Sequence, residues 1–138
     1  MKQLLILGDG GVGKTCLIDK IFNQMFESKY IWTYGLQINY YGDYKIYDYP
    51  GQEKYYDYDN IDFSNIDNCI IMYDCGNKLS YKNIGFWKKK LKKICPEIEP
   101  IIVGNKIDID SLRIVDNKSI NISVRTGENI DKVFNSLV

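Results

Sequence analysis

The sequence predicts an α/β fold in which helices cover both faces of a mostly parallel sheet. Short apolar runs typical of buried strands alternate along the chain with segments of helical periodicity. A glycine-rich pattern stands between the first apolar run and the first helix, and two further polar motifs also follow strands. Because ligands of such sheets bind at the carboxyl ends of the strands, these motifs predict one common site.

The predicted strands are short runs rich in Ile, Val, Leu and Tyr. Two of them, 36–41 and 44–48, are separated only by Gly42-Asp43, which predicts a hairpin with a two-residue turn. The other strands are predicted at 3–7, 69–73, 101–104 and 120–122. We therefore expect a mostly parallel sheet with one antiparallel edge hairpin.

Three helices are predicted, at 14–25, 79–94 and 127–137. In the second, apolar residues recur at helical spacing, which predicts one buried face. Those residues are Ile84, Trp87, Leu91 and Ile94. The lysines of this helix favour a solvated opposite face over a groove for an acidic partner.

Length and composition indicate one globular domain spanning 1–138. A chain of 138 residues buries roughly two-thirds of its unfolded surface, which is enough for a single core. Hydrophobic residues make up 45% and charged residues 26%, which excludes a disordered chain. Lys plus Arg and Asp plus Glu number 18 each, so the charge gives no reason to expect nucleic acid or a membrane surface.

Cysteine and histidine usage narrows the possible chemistry. The four cysteines have no zinc-like spacing, and we expect reduced thiols in the cytoplasm or nucleus. The absence of histidine excludes a nucleophile paired with histidine. The sequence ends at Val138 without a prenylation box, so we expect no direct membrane anchor.

The first motif is a G-x-x-x-x-G-K-[ST] phosphate-binding loop, which follows the apolar run Leu4–Leu7. Its glycines let backbone N–H groups face a phosphate, Lys14 can reach the β- and γ-phosphates, and Thr15 can ligate Mg²⁺. A glycine-rich turn that fits the pattern by chance is the alternative. The residues predicted to contact the phosphates are Gly8, Asp9, Gly10, Gly11, Val12, Gly13, Lys14, Thr15 and Cys16.

The second motif is Asn105-Lys106-Ile107-Asp108, directly after a predicted strand. A carboxylate at Asp108 can accept hydrogen bonds from guanine N1–H and the 2-amino group, donors that adenine does not offer together. Asn105 can connect this loop to the phosphate loop, and the stem of Lys106 can lie along the purine. Alone, the motif could also be a polar turn.

The third motif is Asp48-Tyr49-Pro50-Gly51-Gln52-Glu53, after another strand. Asp48 can hold Mg²⁺ through water, and the Gly51 N–H can contact the γ-phosphate. Gln52 can orient the attacking water, a role that phosphoryl-transfer enzymes give to glutamine. The segment is also a Pro-Gly turn, and a mobile turn is compatible with a phosphate-sensing switch.

Together these motifs resemble a small GTPase of the Ras superfamily, and most closely the Ran family. They occur in the family's order, and the resemblance covers nearly the whole chain. The segments closest to Ran are 26–35, 51–55, 70–74, 81–83 with Trp87, and 103–106. The resemblance implies the P-loop NTPase fold of small G proteins, with GTP or GDP and Mg²⁺ bound.

The resemblance also implies roles for residues that the motifs do not cover. Thr33 would ligate Mg²⁺ and sense the γ-phosphate, completing a metal set with Thr15 and Asp48. Phe26 would contact guanine from the side. The further nucleotide contacts would come from Glu27, Lys29, Tyr30, Ser123, Val124 and Arg125. Expected partners of a monomeric switch are an exchange factor, an activating protein and transport receptors.

Two departures from the family pattern leave the function open. Pro50 fixes its own φ and restricts Tyr49, so we predict a stiffer switch segment. Only 109–122 connect Asp108 to Ser123, which is short for a parallel crossover containing a helix. Three functions remain: a GTP-hydrolysing Ran-like switch, a catalytically weak nucleotide-binding module that mimics Ran, and another P-loop enzyme such as a nucleotide kinase.

Overall fold

A computed structural model describes residues 1–22, 28–33, 36–49, 62–108, 114 and 116–137, and for 28–33 and 36 only the backbone. Within these ranges the chain forms one seven-stranded sheet and four helices. The strands are β1 (Lys2–Gly8), β2 (Ser28–Thr33), β3 (Leu36–Tyr41), β4 (Tyr44–Asp48), β5 (Asn68–Asp74), β6 (Pro100–Asn105) and β7 (Ile120–Asn121). The helices are α1 (Lys14–Phe22), α2 (Lys78–Lys82), α3 (Ile84–Ile94) and α4 (Ile130–Ser136).

The strand order in the sheet is β2-β3-β4-β1-β5-β6-β7. β1 pairs in parallel with β4 and β5, and the parallel ladder continues through β6 to β7. β3 is antiparallel to both β2 and β4. The carboxyl ends of β1, β4, β5 and β6 therefore lie along one edge of the sheet, where the predicted motifs begin.

The predicted mostly parallel α/β sheet and its hairpin are confirmed, the hairpin with the predicted bounds. Strand β2 is additional to the predicted strands, because the resemblance implies only nucleotide and Mg²⁺ contacts for residues of 28–33. β2 lies outside the hairpin and is the edge strand. The strands predicted at 3–7, 69–73 and 101–104 are each one residue longer at both ends, whereas β7 ends one residue earlier than predicted.

The predicted helix bounds need correction. The single helix predicted at 79–94 is two helices that meet at Asn83. The terminal helix predicted at 127–137 begins at Ile130, after a turn in which Asn129 has a φ of 61°. The first helix begins at Lys14 as predicted and is described to Phe22, and the rest of its predicted span lies outside the described residues.

The alternation of side chains along the central strands divides the core between the two faces of the sheet. In β1, Leu5 and Leu7 face one cluster, whereas Leu4 and Ile6 face the other. The first cluster includes residues from α3, and the second includes residues from α1 and α4. Helices thus cover both faces, and β1 is buried on both sides because it lies at the centre of the sheet.

The crossover from β6 to β7 contains no helix among its described residues. Its described part includes Ile114, whose N–H donates to Cys75 O at 2.7 Å, and a turn closed by Ser119 N–H to Asp116 O at 3.0 Å. Ile122 N–H then donates to Gly104 O at 2.7 Å.

Among the described residues, no helix is both long and apolar enough to cross a membrane.

Candidate functional site

The loop between β1 and α1 wraps around the side chain of Lys14. The Lys14 ammonium donates to Gly8 O at 2.8 Å and to Asp9 O at 3.0 Å. Lys14 is only 7% exposed, although it carries a charge. Burial lowers the pKa of Lys14, and the charges of Asp48 and Asp9 oppose that shift. The loop thus holds a partly desolvated cation on neutral carbonyl groups, an arrangement that an anionic ligand would stabilise.

A glycine is required at position 13, where the phosphate loop packs against Asn105, the last residue of β6. Its φ is +102°, and a Cβ at this position would lie 2.5 Å from Asn105 Nδ2. The absent side chain lets Asn105 Nδ2 donate to Val12 O at 2.9 Å. This hydrogen bond is the predicted connection between the two loops.

At the start of α1, Thr15 Oγ1 donates to Asp48 Oδ2 at 2.5 Å. Asp48 is the last residue of β4, so the β1–β4 ladder sets its distance from the phosphate loop. Burial raises the pKa of Asp48, while the Thr15 hydrogen bond and the Lys14 charge act to lower it. The two residues therefore place a hydroxyl and a carboxylate oxygen together beside the Lys14 ammonium.

This oxygen pair fits the predicted Mg²⁺. Magnesium takes oxygen ligands, and in nucleotide sites it uses one or two protein ligands while phosphates and water supply the others. Within the described ranges no group of three or more His, Cys, Asp or Glu side chains could hold a metal ion by itself. A site with two protein oxygens is consistent with a metal that arrives with a polyphosphate.

Asn105 also organises the second loop. It is 2% exposed, and its Oδ1 accepts from Lys106 N at 2.8 Å and from Val124 N at 3.1 Å. Lys106 has a φ of 69°, which is costly for a residue with a side chain. Its ammonium compensates by donating to Gly11 O at 3.1 Å and pairing with Asp74 at 2.9 Å. One amide side chain thus connects three segments that are distant in sequence.

Asp108 lies against the loop after β7. Ser123 Oγ donates to Asp108 Oδ1 at 2.7 Å, and this hydrogen bond is the main reason that the pKa of Asp108 is lowered. The Arg125 guanidinium is 3.9 Å away and its side chain is 88% exposed, so that ion pair contributes little. The structure therefore brings the predicted base residues Asp108, Ser123, Val124 and Arg125 together.

The Asp9 side chain is engaged away from Lys14, by the helices on the other side of the loop. Asp9 Oδ2 accepts from Asn83 Nδ2 at 2.7 Å, and Asp9 Oδ1 accepts from Trp87 Nε1 at 2.9 Å. Only the Asp9 carbonyl contacts Lys14. Sequence reasoning missed Asn83 and Trp87 as neighbours of the site. The available signal was that a buried tryptophan needs a partner for its N–H.

The remaining predicted nucleotide-binding and metal residues are described by their backbone alone or lie outside the described residues. Thr33 pairs with Leu36 in the β2–β3 ladder. The next residue of β3, Gln37, pairs with Asp48. The Thr33 backbone therefore lies at the same end of the sheet as Asp48. Lys29 and Tyr30 lie earlier in β2, and only their backbone is described. The predicted contacts Phe26, Glu27, Gly51 and Gln52 lie outside the described residues.

Comparison with protein families agrees with this geometry. The family model described as "Ras family" matches residues 3–138, which is nearly the whole chain.

Proposed function

Because the chain belongs to the Ras family, and is therefore a small GTP-binding protein, we propose that it binds GTP and GDP with Mg²⁺, hydrolyses GTP to GDP and acts as a molecular switch. The observation that carries the proposal is the buried Lys14 ammonium, which the phosphate loop holds on two carbonyl oxygens. Bound phosphate would supply the negative charge that this buried cation needs.

The metal role is assigned to Thr15, Thr33 and Asp48. Thr15 and Asp48 support it through the hydrogen bond between their oxygens. Thr33 rests on the family resemblance, together with a backbone position at the same end of the sheet. Bound Mg²⁺ would neutralise charge on the β- and γ-phosphate oxygens. Asp48 would have to be ionised for this role. Burial raises the pKa of Asp48, the Thr15 hydrogen bond and the Lys14 charge oppose that shift, and a bound Mg²⁺ would favour the ionised form further.

The selection of guanine is assigned to Asp108. Ser123 keeps its carboxylate ionised and oriented by donating to Oδ1, which leaves Oδ2 near the exposed Arg125. An ionised carboxylate accepts hydrogen bonds only, which matches the N1–H and 2-amino donors of guanine. Adenine would leave that acceptor unpaired, which would select against it.

The hydrolytic step is assigned to Gln52, which would orient the attacking water, with Gly51 beside the γ-phosphate. The only arginines of the chain are Arg113 and Arg125, and neither belongs to the motif around Gln52 or to the segment around Thr33. We therefore propose slow intrinsic turnover, which a partner arginine would raise by roughly 10³- to 10⁵-fold. An exchange factor and an activating protein are the partners that this cycle requires.

A Ran-like task, with transport receptors as partners and a location in the cytoplasm or nucleus, is the finer proposal. It rests on the resemblance of segments such as 26–35 and 51–55 to the Ran family. The second candidate is a catalytically weak module that binds nucleotide or mimics Ran without cycling. Two features favour it: Pro50 beside Gly51, and a β6–β7 crossover without a helix among its described residues.

Mass spectrometry of the nucleotide that co-purifies with the protein tests the binding proposal. We expect GDP or GTP. Co-purified ADP or ATP, or displacement of GDP by ATP as readily as by GTP, would instead favour another P-loop enzyme such as a nucleotide kinase. Turnover of Mg²⁺-GTP then separates the switch from the weak module, because the module would bind GTP without forming GDP.

Gln52→Leu tests the hydrolytic assignment. We expect GTP affinity to persist and single-turnover hydrolysis to fall at least about tenfold, because leucine cannot hydrogen-bond to the attacking water. Gln3→Leu is the matched control, since Gln3 lies at the start of β1 and contacts Tyr47 and Asp67. Equal hydrolysis rates in wild type and Gln52→Leu would remove Gln52 from this role.

A further inference from the structure

The phosphate loop has a second set of contacts, on the side facing α3, that its sequence motif does not require. Both carboxylate oxygens of Asp9 accept hydrogen bonds from this side. Asn83, at the α2–α3 junction, donates from Nδ2 to Oδ2 at 2.7 Å, and Trp87, in α3, donates from Nε1 to Oδ1 at 2.9 Å. We call these three side chains the α3 clamp. The Asp9 carbonyl on the same residue receives the Lys14 ammonium at 3.0 Å. Asp9 is therefore held between α3 and the lysine that faces the phosphate site.

Asn83 lies at the junction where α2 ends and α3 begins. Its backbone is helical, with φ −74° and ψ −4°, and its N–H donates to Leu79 O at 2.9 Å. Its side chain makes no capping hydrogen bond in α3, and its Nδ2 donates to Asp9 Oδ2. The end of α2 thus positions the Asn83 side chain against the phosphate loop.

The Trp87 contact connects the phosphate loop to the segment after Asp48. Trp87 is 1% exposed, so its indole N–H would be unsatisfied without Asp9. Its ring meets the fully buried Tyr49 ring edge-on, with the centroids 6.1 Å apart. Tyr49 directly follows Asp48, the proposed metal residue. One α3 side chain therefore contacts both the phosphate loop and the root of the proposed switch segment.

The charge of Asp9 gives these contacts an energetic role. A carboxylate in a phosphate loop would repel bound polyphosphate, and this repulsion grows as the surroundings become less polar. Two hydrogen-bond donors stabilise the Asp9 charge on the α3 side of the loop. They also fix the carbonyl orientation that Lys14 needs. Loss of the clamp would leave the carboxylate free to move and the loop less well preorganised for phosphate.

We propose that Asp9, held by Asn83 and Trp87, is a positioning residue that slows the release of GDP from the phosphate loop. The proposal rests on the nucleotide binding proposed above. It deepens that function by making α3 the element that controls how long nucleotide stays bound.

The test compares release of a fluorescent GDP analogue, mant-GDP, from wild type, Trp87→Phe and Asp9→Asn in excess unlabelled GDP with Mg²⁺. Trp87→Phe keeps an aromatic ring beside Tyr49 and removes only the donor. Asp9→Asn keeps the size and removes the charge and one acceptor. Trp87→Phe is expected to release mant-GDP about tenfold faster, the change expected for one hydrogen bond to a charged group. Asp9→Asn should also release it faster than wild type, but by a smaller factor, because the substitution removes the repulsion between the carboxylate and the phosphates as well as the clamp. In the Asp9→Asn background, Trp87→Phe should change the release rate little further, because both substitutions remove one interaction.

Tyr47→Phe is the matched control. It also removes an aromatic hydrogen bond, from Tyr47 Oη to Gln3 Oε1 at 3.1 Å, but at the start of β1. Its release rate should stay within about twofold of wild type. Circular dichroism establishes that each variant is folded, and if Trp87→Phe fails to fold, Asp9→Asn alone carries the measurement.

A second readout separates positioning from general stability. Trp32 and Trp87 are the two tryptophans, so the Trp87 indole N–H resonance in ¹⁵N NMR is assigned by its loss in Trp87→Phe. It should shift when wild type binds GDP and should not shift in Asp9→Asn. Wild-type release rates in both clamp variants, or an indole resonance insensitive to GDP, would overturn the proposal while leaving GDP binding intact. Wild type that binds no mant-GDP would instead overturn the proposed function, and the clamp's role with it.

Discussion

The phosphate side of the site and the base side are built in different ways. The phosphate side comprises 8–16 with Asp48, and the base side comprises 105–108 with 123–125. Most of the phosphate side is one continuous segment between a central strand and the helix that follows it. The base side joins two segments through side-chain contacts, and the strand beside it, β7, has two residues.

The charged side chains of the two sides differ in burial, although Asn105 and Ser123 of the base side are themselves buried, at 2% and 0% exposure. Lys14 and Asp48 are both buried, at 7% and 7% exposure, whereas the Asp108 carboxylate lies beside an Arg125 side chain that is 88% exposed. Electrostatic interactions are stronger where water is excluded. We therefore propose that buried charge supports phosphate binding, whereas the choice of base depends on the Asp108 carboxylate, which one hydrogen bond from Ser123 orients.

Removing the buried charge should have the largest effect. Lys14→Met should weaken GTP about a thousandfold, because it removes charge-assisted contacts to the β- and γ-phosphates. Lys20→Met, in the last turn of the same helix, should leave affinity unchanged and serves as the control. Isothermal titration with a non-hydrolysable GTP analogue measures both. Equal affinity in wild type and Lys14→Met would show that the phosphate side does not depend on buried charge.

Asn105→Ala removes the connection between the two sides. It leaves three backbone groups without their partner: Val12 O, Lys106 N and Val124 N. Because each unsatisfied group costs about 1–3 kcal/mol, we expect the free energy of unfolding to fall by about 3 kcal/mol. Urea denaturation followed by circular dichroism measures this. Asn68→Ala, which breaks one hydrogen bond to Leu137 O, is the control and should cost about 1 kcal/mol. Equal losses in the two variants would contradict a special connecting role.

Asp108→Asn should affect the base side alone. The preference for GDP over ADP should fall about a hundredfold, because asparagine keeps only one acceptor oxygen and turns an amide donor toward a guanine donor, while affinity for pyrophosphate stays constant. Competition against mant-GDP measures both values. Asp43→Asn, in the exposed β3–β4 turn, controls for the change in net charge. A parallel loss of pyrophosphate affinity would show that the two sides are not independent.

Ser123→Ala should have the smallest effect, about a fivefold loss of GDP affinity at neutral pH, because Asp108 loses its orienting hydrogen bond. It should also return the pKa of Asp108 toward the ordinary value of 3.8. A lowered carboxyl pKa stabilises the fold above the unfolded pKa and loses that contribution as pH falls through the folded pKa.

The stability difference between wild type and Ser123→Ala should therefore be largest at neutral pH and shrink as pH falls from about 4 through the lowered folded pKa of Asp108. A pH-independent part should remain, because the substitution also removes the acceptor of the Thr126 N–H. Urea denaturation between pH 3 and 7 measures it. Ser136→Ala, which removes a hydrogen bond within α4, should show no such pH dependence. A difference of the same size at pH 7 and pH 3 would show that Asp108 contributes nothing to it.

The sequence determined the α/β class, the hairpin and the phosphate loop, because each depends on local signals. Strand periodicity and the two-residue turn predicted the hairpin with its bounds, and the glycine spacing with Lys14 and Thr15 identified the loop. These features need only residues that are neighbours in the chain.

Only the tertiary structure decided the contacts between distant segments. Strand β2 could not be predicted from 28–33, because edge pairing depends on the partner strand that the fold supplies. The apolar periodicity of Ile84, Trp87, Leu91 and Ile94 lies within α3, so it does not reveal the break between α2 and α3 at Asn83. The contact of Trp87 with Asp9 joins residues 78 positions apart. The packing of α3 on the sheet makes that contact, and no spacing in the sequence encodes it.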